Sequence, residues 1–289
     1  MKRLNTYTMN VLSLFDGMSC GQIALEKAGI KVDKYYAAEI KKHAIECTQT
    51  NYPNTIQLGD VRNIKSKDLP KIDLLIGGSP CQDFSRANSQ RNGLEGDKSS
   101  LFFEYVRLLR ELNPKYFLLE NVIMTDYNYY YISNELNCEP VRICGSLVSA
   151  ALRDRLYWTN IPPFYTDMTG RLISAIPQPK DKLIMLQDVL TEGYTNKRKH
   201  TCLNTASGVG GKQKYLKHRN DTTGMITLIY DSPICNNSCN VRTVNQTELE
   251  RLHNIPEGYT SMLNQRQAGN LIGDGWTVDV VTHIFKGLK

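Results

Sequence analysis

A short apolar run, Ile72-Asp73-Leu74-Leu75-Ile76, ends in Gly77-Gly78-Ser79-Pro80-Cys81-Gln82. Such a run bounded by glycines reads as a buried strand, and the Ser-Pro that follows delivers one cysteine to the mouth of the sheet. A structural cysteine belongs inside the apolar run. Cys81 sits just past it, where open α/β sheets place their chemistry. It is therefore a candidate nucleophile.

The pattern repeats along the chain. Met9 to Phe15 reads as a first strand, broken by Asp16-Gly17-Met18-Ser19-Cys20-Gly21, and Ile23 to Ala28 then reads as a helix ending at Gly29. Strand, glycine turn and helix is the opening unit of a nucleotide-binding fold, although the spacing is not GxGxxG. A second strand, 35–38, ends at Glu39, about 20 positions on, where such folds grip a ribose. A helix over 41–51 follows, then a short strand before Gly59-Asp60-Val61-Arg62. Leu101 to Leu112 is an amphipathic helix stopped by Pro114, and Tyr116 to Leu119 is a strand ending in Glu120-Asn121-Val122. The tyrosine cluster 127–131 opens a helix to Leu136, and 141–147 and 156–159 read as the last strands. Each of five strands is thus expected to end beside a chemically useful residue: Gly17, Glu39, Asp60, Cys81 and Glu120. The expected fold is α/β, a doubly wound, mostly parallel Rossmann-like sheet. Residues 82–98 are polar and glycine-punctuated and read as a lid beside the nucleophile.

From about Pro162 the texture becomes irregular. The expected organisation is a catalytic and cofactor-binding domain over 1–162, a target-recognition region over 163–244, and a segment 245–289 that returns to the first domain. Between Lys197 and Arg219 there are seven Lys/Arg and no Asp or Glu. With a net charge of +6, this stretch suits phosphate contact. The opening residues are polar, and no apolar run approaches the roughly 20 residues that span a bilayer. None of the eight cysteines forms a CxxC pair, so a reduced, intracellular protein without a metal site is expected.

A thiolate and a carboxyl group suit addition to an electron-poor ring carbon, with proton transfer by the carboxyl. The chain resembles the DNA (cytosine-5) methyltransferases, most closely the catalytic domains of animal de novo enzymes, from about Val11 to Leu288 in motif order. Leu14-Phe15-Asp16-Gly17 resembles the first cofactor motif. Gly77 to Gln82 resembles the nucleophile motif, and Leu119-Glu120-Asn121-Val122 the Glu-Asn-Val motif. Arg153-Asp154-Arg155 resembles the arginine motif near the base, and Gly273-Asp274-Gly275-Trp276 the motif that closes the cofactor pocket. The chain departs from the family pattern at Ala151, at Ser19-Cys20 where a glycine pair is common, and at Asp274 where many members carry Asn or Arg.

The resemblance implies methyl transfer from S-adenosylmethionine to C5 of a cytosine flipped out of DNA. Catalysis falls to Cys81, Pro80, Glu120, Arg153 and Arg155. The cofactor is expected to meet Phe15, Asp16, Gly17, Met18, Ser19, Cys20, Glu39, Ile40, Asp60, Val61, Arg62, Ser79, Asp274, Gly275 and Trp276. DNA contacts are expected from Ser85, Arg86, Arg91, Arg198, Lys199, Ser207, Gly208, Lys212 and Lys214. Double-stranded DNA is the expected partner, with a homodimer suggested by the relatives. The expected location is the cytoplasm or nucleoid of a bacterium or of a virus-infected cell. An RNA cytosine methyltransferase and a catalytically silent DNA-binding homologue are the alternatives.

Overall fold

The computed structural model describes residues 8–79, 100–201, 227–234 and 240–288. Its described residues form two compact units. The first draws on Met1–Ile143, Asp154–Gln178 and Thr282–Lys289, the second on Cys144–Arg153 and Pro179–Val281. This division by contacts falls at 178/179, whereas the change of texture in the sequence falls at 162/163. Of the segment 245–289, residues up to Val281 group with the second unit.

The first unit is built on strands β1 (Met9–Leu14), β2 (Val32–Ala38), β3 (Ile56–Gln57), β4 (Leu74–Gly78), β5 (Tyr116–Val122), β6 (Cys138–Glu139), β7 (Val141–Cys144) and β8 (Asp154–Thr159). Helices α1 (Cys20–Ala28), α2 (Lys42–Asn51), α3 (Ser100–Leu112) and α4 (Asp126–Leu136) connect them. Seven strands make one sheet in the order β3-β2-β1-β4-β5-β8-β7. The pairs from β3 to β5 are parallel, and β8 runs antiparallel to β5. The strand order turns at the β1/β4 boundary, the place where open sheets of this kind bind ligands.

The apolar runs are continuous because both faces of the central strands are covered. Val11, Leu12, Leu14, Leu74, Leu75, Ile76, Leu118 and Leu119 are all inaccessible to solvent. Helix α3 presses Phe102, Tyr105, Val106 and Leu108 onto the core. Gly29 ends α1 in the left-handed conformation, its N–H reaching Glu26 and Leu25 carbonyls, a cap that glycine adopts without steric cost.

Strand β5 outruns its apolar stretch. Its antiparallel partner continues the ladder through Glu120 opposite Tyr157, Asn121 opposite Leu156 and Val122 opposite Arg155. Glu120 therefore lies within the strand and not beyond its end. The strand expected over 141–147 stops at Cys144 and gives way to a single 3-10 turn. A small sheet, β6 with β9 (Phe164–Thr166) and β10 (Leu172–Ser174), was not foreshadowed by the sequence.

The second unit pairs β11 (Ile229–Tyr230) with β12 (Val241–Arg242). Helices Gln246–Leu252 and Gln265–Asp274 follow, each opened by an Asn capping box.

Candidate active site

The β1–α1 turn is an unusual piece of backbone. Phe15, Gly17 and Ser19 have φ of 58°, 59° and 62°. Left-handed conformation is natural for glycine and costly for Phe15 and Ser19. Hydrogen bonds hold it. Asp16 N–H donates to the Ala38 carbonyl at 3.1 Å. The Asp16 carboxylate accepts the Tyr35 hydroxyl at 2.8 Å and the Ser19 hydroxyl. Burial pushes the Asp16 carboxyl up to about 6, against the downward pull of Ser13, Ser19 and Tyr35 and with the Glu39 charge adding to the rise.

Glu39 follows β2 directly, beside this turn. One carboxylate oxygen accepts Gly17 N–H at 2.8 Å; the other accepts the N–H groups of Ile40 and Lys41 at 2.8 and 2.9 Å. A carboxylate fixed by backbone in this way keeps lone pairs for hydroxyl donors. Beside it Ile40 is 66% exposed, an apolar face next to a polar grip. A ribose with an attached flat base fits that pairing. Asp60, after β3, is held below the usual carboxylate range by the side chain and backbone N–H of Arg62. Val61 is buried behind it. Met18, Ser19 and Cys20 are buried in the turn and the first residues of α1.

On the other side of the switch point, Gly77 is closely packed. A Cβ there would lie 3.1 Å from both the Leu14 carbonyl and the Tyr105 ring. Gly78 is paired in register with Glu120. Glu120 is 7% exposed, and Arg155 Nε lies 2.9 Å from its Oε1. Among the described residues, no donor is aligned on that oxygen for a hydrogen bond, so the contact is an ion pair without a directed N–H. Buried Asn121 donates to Ser79 Oγ at 3.0 Å, and its carbonyl accepts Val122 N–H at 2.8 Å. The ends of β4 and β5 are thereby tied together. Pro80 and Cys81 lie outside the described residues, as do the stretch 82–98 with Ser85, Arg86 and Arg91, and Ser207, Gly208, Lys212 and Lys214.

Two expected site residues are committed elsewhere. Arg153, expected near the base, is 4% exposed. Its guanidinium donates to the Gly273 and Gly275 carbonyls at 3.0 and 2.6 Å. These carbonyls end helix Gln265–Asp274, and a forked cation satisfies them well. Lys199, expected on phosphate, donates to the carbonyls of Ser146, Ser149 and Ile184 at 2.6–2.9 Å. That uses all three ammonium protons. Its neighbourhood is structural, because His200 bonds Ala150 and Leu152 through backbone. Arg198 is exposed. Asp274, Gly275 and buried Trp276 belong to the second unit. Tyr35 and Asn121 escaped the sequence reading. Asn121 stood within a quoted motif, whereas an inward tyrosine in a strand carries no signal of its own.

Residues 9–131 match the C-5 cytosine-specific DNA methylase family. The matched stretch contains the Gly17 turn, Glu39, Asp60, Cys81 and Glu120, and ends before Arg153 and Arg155. The orphan methyltransferase M.SPRI of Bacillus phage SPR is 42% identical over 116 residues, 39% of this chain and 26% of that protein. The type II methyltransferase M.FnuDI of Fusobacterium nucleatum is 40% identical over 114 residues, 39% of this chain and 32% of that protein. The methylase match therefore spans about a quarter to a third of these relatives. The fold is shared more widely. Entamoeba histolytica EhMeth superposes with a TM-score of 0.73 at 15% identity, covering 98% of this chain and 99% of that one. Spodoptera frugiperda DNMT2 gives 0.68 at 18%, covering 97% and 99%.

Proposed function

We propose that the chain transfers a methyl group from S-adenosylmethionine to C5 of a cytosine in double-stranded DNA, through a covalent bond between Cys81 and C6. The carrying observation is the buried Glu120–Arg155 pair in register with Gly78, three residues before Cys81 in sequence.

The cofactor side rests on Glu39 and Ile40, with Asp60 as an acceptor for an amino group. The bound cofactor supplies an electrophilic methyl group. A proton shared between Glu120 and N3 of the base draws electron density from C6, and it returns to Glu120 when the thiolate leaves. The Cys81 thiolate then forms the S–C6 bond, and the C5 carbanion takes the methyl group. Loss of the C5 proton to a base expels the thiolate and restores the aromatic ring. Arg155 keeps the Glu120 carboxylate fixed for this work. Arg153 acts at one remove, by holding the Gly273–Gly275 turn. A stacked base hides its ring, so the cytosine must leave the duplex. Exposed Arg198 remains a phosphate contact, with Ser85, Arg86, Arg91, Ser207, Gly208, Lys212 and Lys214 as further DNA contacts.

Among the described residues no helix is long and apolar enough to cross a membrane, and no cluster could hold a metal ion. The proposed setting is intracellular, and self-association into a homodimer is testable by sedimentation. The deciding assay incubates the protein with labelled S-adenosylmethionine and varied duplexes and looks for 5-methylcytosine after digestion. Absence of label from every duplex would overturn the proposal. Label confined to tRNA would transfer it to RNA.

A further inference from the structure

The β1–α1 turn departs from an all-glycine solution, and the departure has a partner. Ser19 sits in left-handed backbone at φ 62°, where glycine would be at ease. Its hydroxyl donates to one oxygen of Asp16, while the Tyr35 hydroxyl donates to the other at 2.8 Å. Gln22 Nε2 donates to Ser19 Oγ at 3.0 Å and to Thr55 Oγ1 at 2.8 Å, which anchors the serine from behind. Between Asp16 and Ser19 lies Gly17, whose N–H holds Glu39 Oε2. The relay from Tyr35 through Asp16 to Ser19 therefore brackets the one N–H that orients Glu39 from across the turn.

We propose that Ser19 and Tyr35 are positioning residues for cofactor binding: clamped on Asp16, they lock the left-handed turn that aims Gly17 N–H at Glu39. The inference rests on the reading of Glu39 as the ribose grip. Neither residue is required to touch the cofactor. An ionised Asp16 accepts on both oxygens. A protonated one must turn one oxygen into a donor and give up or reverse a hydroxyl bond. The clamp is therefore tightest with Asp16 charged, and burial places its titration at about 6. The groups facing it are Ser13 from β1, Ser19 at the head of α1, Tyr35 from β2 and the Glu39 carboxylate. Burial and the Asp16 charge hold Tyr35 well above the usual phenol range, so it stays a donor. From α2, Thr48 reaches the Gly17 carbonyl at 3.4 Å.

The test is calorimetric titration of the full chain with S-adenosylhomocysteine, without any turnover. The variants are Ser19→Ala, Tyr35→Phe, Asp16→Asn and Glu39→Ala. Loss of one hydrogen bond to a charged group predicts about tenfold weaker binding for each of the first two. Glu39→Ala should lose binding. Wild-type affinity should fall as pH drops through about 6, and Asp16→Asn should lack that step. A merely structural serine would lower the melting temperature without altering the pH dependence. Wild-type affinity for Ser19→Ala and Tyr35→Phe, with Glu39→Ala defective, would overturn the clamp alone. No binding by the wild type would overturn the cofactor reading and the clamp with it.

Discussion

Arg155 and Glu120 are diagonal neighbours across the antiparallel β5–β8 pair: Arg155 stands opposite Val122, two residues along from Glu120. Side chains so placed share a face and reach one another. Both are nearly buried, at 11% and 10% side-chain exposure. A buried carboxylate is costly without a partner, and the antiparallel strand β8 supplies one.

Removing Arg155 should therefore hurt twice. Arg155→Met strands a buried charge, at a cost of about 3–5 kcal/mol, and lowers methyl transfer about a hundredfold or more. Adding Glu120→Gln should restore most of the stability and none of the activity. Urea unfolding of both single variants and the double variant checks this. Additive losses of stability would contradict the pairing.

Lys199 and Arg198 adjoin in sequence and should behave oppositely. Lys199→Ala leaves three carbonyls without their cation and should destabilise by about 1–3 kcal/mol. Arg198→Ala should leave stability within about 0.5 kcal/mol and reduce the salt slope of DNA binding by about one. Thermal melts and binding at several salt concentrations separate the two.

Asp16 makes stability depend on pH in a set direction. Its folded value is raised to about 6 from 3.8. The stabilisation it offers is complete below 3.8 and is lost as pH rises through about 6. Asp16→Asn should therefore gain on the wild type between pH 4 and 7, by up to about 2–3 kcal/mol. Unfolding of both proteins at pH 4.5 and 7.5 measures it. An unchanging difference would contradict the buried charge. The stability given up here would be exchanged for a tighter cofactor turn.

Much of this arrangement was legible in sequence because it depends on local signals. Apolar runs mark strands covered on both faces, and the residues that follow them mark the ligand-binding edge. Glu39 and Asp60 were picked out as candidates in that way. Tertiary commitments were not legible. Nothing about Arg153 reveals that carbonyls at Gly273 and Gly275 claim it, and nothing about Lys199 reveals its three carbonyl partners. A basic residue in a basic stretch looks like a phosphate contact until its protons are counted. Glu120 was expected beyond its strand because an apolar run shows where burial stops, whereas an antiparallel partner decides where pairing stops. The helix Gln265–Asp274 was missed because its stripe is sparse: Ala268, Leu271 and Ile272 are its buried apolar side chains.

The central claim is that Cys81 attacks cytosine C6 with Glu120 assisting. A duplex in which 5-fluorocytosine replaces cytosine cannot release a proton from C5, so the covalent intermediate should persist. Incubated with that duplex and S-adenosylmethionine, the wild-type chain should form a denaturation-resistant protein–DNA adduct. Cys81→Ala should form none, and Glu120→Gln should form it much more slowly. An adduct that survives Cys81→Ala, or no adduct with a wild type that methylates ordinary duplex, would contradict the account.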